Sequence, residues 1–219
     1  MKFNIRGNPD YGSVDFQLDT GDRIFVESGS MSQMSADLPM DAQVIGSKLG
    51  ALGRKLVGGE PFFVGAYGGG RSGDVSISPA FPGTVVHYSL GDTPLRLTAG
   101  AFLACTEHIA LKTRFGGMKA LFSGEGTFFL DAVGRGDLFF NAYGAVIEKQ
   151  LDGELVVDTG HLVAWEPTLD YKIGGMGGLK QTMFSGEGLV MRFSGRGKLW
   201  LQTRTLPHTA GWITPFLMG

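Results

Sequence analysis

The chain has one cysteine, Cys105, among 219 residues. One cysteine forms no internal disulfide, so the fold must rest on packing and hydrogen bonds, and the composition leans toward a reducing compartment. Cys105 closes the apolar run Ala101-Phe102-Leu103-Ala104-Cys105, where a packed thiol is expected and not a reactive one. An excess of positive charge is also lacking: 19 basic against 21 acidic residues give a net charge of −2, and no basic cluster exceeds Arg54-Lys55. That excludes the electrostatic footprint of a nucleic-acid binder. No apolar run reaches the roughly 18 residues of a membrane-spanning helix, and none follows Met1-Lys2-Phe3-Asn4-Ile5-Arg6 as a secretion signal would require. The expectation is a soluble, cytoplasmic protein.

Groupings that carry chemistry are scarce too. The four histidines, His87, His108, His161 and His208, are scattered and contain no His-x-His pair, the arrangement that a metal site on a β scaffold usually needs. Phe122-Ser123-Gly124-Glu125-Gly126 is not a nucleophile elbow, which requires a strand-to-helix turn in an α/β sheet. The glycine clusters lack the βαβ context of a phosphate-binding loop. No metal, no cofactor and no catalytic residue is expected, and the chain reads as a non-enzyme.

What the chain has in quantity is glycine, 36 residues, roughly twice the ordinary share. Helix interiors disfavour glycine by about 1 kcal/mol each; strands joined by many turns are the better host. Apolar runs are short and rich in β-branched and aromatic residues, as in Thr84-Val85-Val86-His87-Tyr88, Thr127-Phe128-Phe129-Leu130, Leu138-Phe139-Phe140 and Lys198-Leu199-Trp200-Leu201. Only residues 46–57 hint at helix, with Leu49, Leu52 and Leu56 on one face, and residues 116–121 and 177–183 could form the same short crossover.

The glycines also recur in order. A Gly-Glu step appears at Gly59-Glu60, Gly124-Glu125 and Gly186-Glu187, spaced 65 and 62 residues apart. Gly116-Gly117-Met118-Lys119 and Gly134-Arg135-Gly136 answer Gly177-Gly178-Leu179-Lys180 and Gly195-Arg196-Gly197. A second signature of turn, short strand and glycine runs Gly21-Asp22 to Ile24-Phe25-Val26 and Gly29, Gly91-Asp92 to Leu95-Arg96-Leu97 and Gly100, and Asp152-Gly153 to Leu155-Val156-Val157 and Gly160. A period near sixty residues predicts three units, at about 14–86, 87–147 and 148–206. The expected fold is all-β with very little helix: three internal repeats of a short double-stranded β-helix or β-sandwich unit, about six strands each, in a pseudo-three-fold arrangement. They would form one globular domain over residues 1–206, followed by an apolar tail at 207–219. That tail, with Trp212-Ile213-Thr214-Pro215-Phe216-Leu217-Met218, is expected to pack on its own core or on a neighbouring subunit in preference to a membrane.

Long ordered phrases resemble the altered inheritance of mitochondria family, across residues 3–206. They include Gly100-Ala101-Phe102-Leu103-Ala104, Ala142-Tyr143-Gly144-Ala145, Asp158-Thr159-Gly160-His161-Leu162-Val163-Ala164-Trp165-Glu166 and Trp200-Leu201-Gln202-Thr203-Arg204. The resemblance implies a triplicated β architecture like that of the tryptophan RNA-binding attenuator protein. It brings no catalytic residues. The chain departs from the family at residues 46–53, where a Gly-Gly-aromatic-Gly-Gly run is usual.

Two readings of the repeated motif follow. Glu60, Glu125 and Glu187 could gather around a pseudo-axis, where three carboxylates would raise one another's pKa or recruit a cation. Alternatively each accepts backbone N–H bonds in its own turn, or pairs with Arg54, Lys119 or Lys180 upstream. The motif residues, Gly59, Glu60, Lys119, Gly124, Glu125, Lys180, Gly186 and Glu187, are therefore candidate turns or binding positions. Arg135 and Arg196 read as solvated hairpin tips. The expected role is a structural or protein-interaction scaffold, homo-oligomeric and open to protein partners. The alternatives are a small-molecule binder with Trp165 as a pocket wall, and an enzyme using the repeated glutamates.

Overall fold

The computed structural model describes residues 1–45, 62–98, 100–115, 128–175 and 189–217. Within them the short β-branched and aromatic runs are strands, as their composition requires. In chain order these are β1 (Lys2–Arg6), β2 (Ser13–Leu18), β3 (Arg23–Glu27), β4 (Met31–Met34), β5 (Met40–Ile45), β6 (Phe62–Gly68), β7 (Gly73–Ile77), β8 (Gly83–Leu90) and β9 (Leu95–Thr98). They continue as β10 (Phe102–Thr106), β11 (Ile109–Phe115), β12 (Phe128–Gly134), β13 (Gly136–Tyr143), β14 (Val146–Asp158), β15 (Leu162–Trp165), β16 (Asp170–Gly174) and β17 (Val190–Gln202). A 3-10 turn spans Thr159–His161, and a helix, α1, spans Leu206–Leu217. The chain is thus mostly β.

Glycine sets two of the reversals that matter most. Gly29, between β3 and β4, has φ +89°, and Gly100, between β9 and β10, has φ +85°. Both angles lie in the left-handed region, where a side chain would be strained. They place β4 and β10 two residues beyond their glycines.

Pairing follows a regular scheme. Across residues 13–77, β2 pairs β7, β4 pairs β7, β3 pairs β6 and β5 pairs β6. Across residues 83–143, β8 pairs β13, β10 pairs β13, β9 pairs β12 and β11 pairs β12. Beyond residue 146, β14 runs antiparallel to β17 along its whole length, with β15 on the C-terminal half of β17 and β16 on the N-terminal half. One register shift recurs: between Met31 and Gln33 on β4, Phe102 and Ala104 on β10, and Leu162 and Ala164 on β15.

The strands assemble into a four-stranded sheet, β1-β2-β7-β4, and two longer paths, β5-β6-β3-β10-β13-β8 and β11-β12-β9-β15-β17-β14, with β16 beside β17. Each long path is two half-sheets joined edge to edge. In the first the join is β3 to β10, with Phe25 opposite Cys105 and Val26 opposite Ala104. In the second it is β9 to β15, with Arg96 opposite Trp165 and Leu97 opposite Ala164.

Apolar side chains fill the space between sheets in three clusters, centred on Phe16 and Phe139, on Phe102, Phe140 and Trp200, and on Trp165 and Phe193. Phe16, Phe102, Phe139, Phe140 and Phe193 are all fully buried, and burial of each such ring stabilises by roughly 1.5–3 kcal/mol. The apolar tail expected at 207–219 is helical, with α1 beginning at Leu206. Its composition, with Pro207, Gly211 and Pro215, had given no helical signal.

Candidate interaction surfaces and polar clusters

The eight motif positions, Gly59, Glu60, Lys119, Gly124, Glu125, Lys180, Gly186 and Glu187, lie outside the described residues. So do Arg54 and the three stretches with helical or crossover character.

Arg135 and Arg196 are described, and neither is the hairpin tip expected from sequence: Arg135 links β12 to β13, which lie in different sheets, and Arg196 lies within β17 opposite Asp152. Arg135 donates through Nε and Nη2 to the two carboxylate oxygens of Asp92 at 2.8 and 2.5 Å. Arg196 donates through the same atoms to Asp152 Oδ2 at 3.1 and 2.6 Å. Asp92 and Asp152 belong to the turn signature upstream, so the two motifs found separately in the sequence meet as fork-to-carboxylate pairs. All four side chains are exposed, and such pairs contribute little to stability.

The buried polar cluster sits on the second long path. Lys112, Asp131, Arg96 and Trp165 stand directly opposite one another across β11, β12, β9 and β15. Asp131 is buried and accepts from Arg96 Nε at 2.6 Å and Nη2 at 3.1 Å, and from Arg114 Nε. The hydrogen bond to Asp131 raises the Arg96 pKa above its ordinary value despite partial burial. The Arg96 guanidinium lies 5.7 Å from the centroid of Trp165 and 5.9 Å from that of Tyr171, within cation–π range. Phe129, Tyr171 and Phe193 pack around Trp165 at 4.9, 5.6 and 5.8 Å between centroids. With its carboxylate engaged by two guanidiniums, this cluster is a clamp across four strands. Trp165, expected as a pocket wall, is fully buried and forms core.

His87 Nε2 lies 2.7 Å from Asp137 Oδ1, and His161 Nδ1 donates to the Gln202 carbonyl at 2.7 Å. Among the described residues no three His, Cys, Asp or Glu side chains gather as metal ligands would. Cys105 is fully buried, and burial pushes its thiol up to about 12, which makes it a packed side chain.

Unburied apolar surface is concentrated at α1. Thr205 caps the helix, its Oγ1 accepting from His208 N–H at 3.3 Å, and Tyr143 Oη donates to Thr209 Oγ1 at 2.9 Å, fixing the helix base to the body. Beyond that point nothing among the described residues covers it. No residue of α1 is buried, and Trp212, Phe216 and Leu217 are 70, 73 and 73% exposed. The described part of the tail, up to Leu217, therefore does not pack on its own core, because the helix leaves the body one turn after Thr209. A groove of about 700 Å³ runs along its base, lined by Tyr11, Pro82, Tyr143, Arg204 and Trp212. No helix among the described residues is long and apolar enough to cross a membrane.

A family model described as mitochondrial biogenesis AIM24 matches residues 3–204. The chain belongs to this family. An uncharacterized protein of Streptococcus pyogenes serotype M6 is 31% identical over 226 residues, covering 99% of this chain and 91% of that protein. The X-ray crystal structure of a Streptococcus pyogenes protein superposes with a TM-score of 0.82 at 29% identity, covering 98% of this chain and 99% of the other. The AIM24 match and this superposition span both long sheet paths, so the edge joins described above belong to the part of the chain shared with these relatives.

Proposed function

We propose that this AIM24-family protein is a non-enzymatic scaffold that acts through self-association and protein contact in the cytoplasm. It is built from three copies of one β unit, at 14–86, 87–147 and 148–206, each a short variant of the double-stranded β-helix. Support for the triplication comes from the recurring pairing scheme and from the register shift at Met31/Gln33, Phe102/Ala104 and Leu162/Ala164. The turn signature aligns with that scheme residue by residue: Phe25, Arg96 and Val156 all sit in the strand that pairs β6, β12 or β17.

The observation that carries the scaffold reading is α1. It is anchored to the body through Tyr143 and Thr209, yet Trp212, Ile213, Phe216 and Leu217 form an uncharged arc left in solvent. Apolar surface held in a fixed place marks a contact site. The binder reading has weaker support. The half-open space at Asn141, whose Oδ1 is buried without a partner, measures about 100 Å³, which suits a few ordered waters and not a metabolite, and the larger groove of about 700 Å³ lies at the base of α1, the surface assigned here to protein contact.

The test is light scattering on the full chain and on a chain ending at Thr205. The full chain is expected to be an oligomer at micromolar concentration, and the shortened one to melt at the same temperature but associate more weakly. A full chain that is monomeric throughout that range contradicts self-association.

A further inference from the structure

Two half-sheets are left over. Each long path joins a three-stranded half from one part of the chain, β5-β6-β3 or β11-β12-β9, to a second half from the next part, β10-β13-β8 or β15-β17-β14. The joining edges are β3 to β10 and β9 to β15, both antiparallel. At the C-terminal end, β16, the first part of β17 and residues 153–158 of β14 make another half of the first kind. At the N-terminal end, β4-β7-β2, extended by β1, makes another half of the second kind. Among the described residues no strand pairs with β4 on the side away from β7, or with residues 153–158 on the side away from β17.

Exposure agrees with the pairing. Residues 102–105 of β10 and all of β15 are buried, whereas Met31, Ser32 and Gln33 of β4 are exposed. Val156, at the position of Phe25 and Arg96, is 45% exposed. Neither edge carries a lysine or a proline, and the residues that would pair, 155–157, are an uncharged stretch between Glu154 and Asp158.

We propose that copies of this chain join head to tail, residues 155–157 of one copy pairing antiparallel with β4 of the next to complete a third long sheet. The register is the one used twice within the chain. Val156 falls opposite Met34 of the partner subunit, as Phe25 faces Cys105 and Arg96 faces Trp165. Val157 falls opposite Gln33 of the partner subunit, as Val26 faces Ala104 and Leu97 faces Ala164. The occupant is a second copy because, among the described residues, each edge finds its complement only at the other end of the same chain, and the two do not pair with each other there. The two edges differ, so the contact is heterologous and each copy keeps one edge open for the next. This inference rests on the self-association reading above but uses a surface separate from α1.

Disulfide trapping in the full chain tests it. Val156→Cys and Met34→Cys are made separately, checked for unchanged thermal unfolding, and oxidised alone and mixed; Cys105 is buried and stays out of the reaction. The mixture is expected to give a disulfide-linked dimer on a non-reducing gel, and neither variant alone to give one. A dimer from either variant alone, which means symmetric pairing, overturns the inference. So does an oligomer in light scattering that no combination traps, an outcome that leaves self-association standing; a monomer that traps nothing overturns both. As a second probe, Val156→Asp puts a charge on the edge without touching the core, and is expected to raise the concentration for half-assembly at least tenfold. Unchanged assembly would contradict the proposal.

Discussion

β10 and β15 on one side, and β4 on the other, hold the same place in the pairing scheme and carry the same register shift, yet they meet opposite environments. β10 and β15 lie between two strands each and are apolar: Phe102-Leu103-Ala104-Cys105 and Leu162-Val163-Ala164-Trp165. Among the described residues β4 has a strand on one side only, and it reads Met31-Ser32-Gln33-Met34, with Gln33 Nε2 donating to Ser76 Oγ and Ser32 Oγ to the Ser76 carbonyl. The difference teaches that strand composition here is set by what lies beyond the edge. Where a second half-sheet is always present, the strand is core. Where it would come from a second copy, as proposed for β4, the strand must tolerate water and still offer its backbone.

That contrast can be broken by truncation at matched positions. Phe102→Ala is expected to destabilise by about 3–5 kcal/mol, because Phe102 is fully buried, while Met31→Ala, 38% exposed in the wild type, stays within about 1 kcal/mol; urea unfolding measures both. Equal losses would show that β4 is already covered within one chain.

Next in size is the clamp that supports the β9–β15 join. Asp131→Ala leaves the Arg96 guanidinium, whose side chain is 12% exposed, without its carboxylate, and is expected to destabilise by about 3 kcal/mol. A change below about 0.5 kcal/mol would mean that the aromatic contacts of Arg96 suffice.

A smaller effect sharpens the view of the β3–β10 join. Burial raises the pKa of Glu27, at the end of β3, with the Ser30 hydroxyl bond opposing. The folded state then holds the proton more tightly than the unfolded state, whose value is near 4.5, so stability falls as pH rises from there through the folded pKa. Glu27→Gln is expected to melt slightly higher than wild type at pH 7, with the gain vanishing below pH 4.5; a gain independent of pH would refute the assignment. The smallest effect is at the exposed Arg135–Asp92 pair: Arg135→Ala should leave the melting temperature unmoved, since the pair is solvated.

Much of this was readable from the residues. The turn signature located Ile24-Phe25-Val26, Leu95-Arg96-Leu97 and Leu155-Val156-Val157 within strands, because apolar alternation is a local property, but the reversal it predicted at Asp152-Gly153 is absent, since β14 runs through both residues without a break. That Asp92 meets Arg135, and Asp152 meets Arg196, is a contact over 43 and 44 residues. Its only sequence signal was the presence of both residues in both copies. The open edges were not readable, since being unpaired belongs to the assembled sheet and not to Met31 or Val156 themselves. α1 was missed because its prolines and glycine speak against helix, while the Thr205 cap and the Tyr143 bond to Thr209 depend on tertiary placement. The repeated Gly-Glu steps, the most visible feature of the chain, lie outside the described residues, so the surfaces argued here come from other positions.

Amide hydrogen exchange on the full chain at assembling concentration tests the central claim most directly. The amides of Leu155, Val156 and Val157 that point away from β17, and those of β4 that point away from β7, are expected to exchange about as slowly as their counterparts in β3 and β10, and to become fast in Val156→Asp. Fast exchange at both edges in the wild-type oligomer, beside slow exchange in β3 and β10, would contradict it.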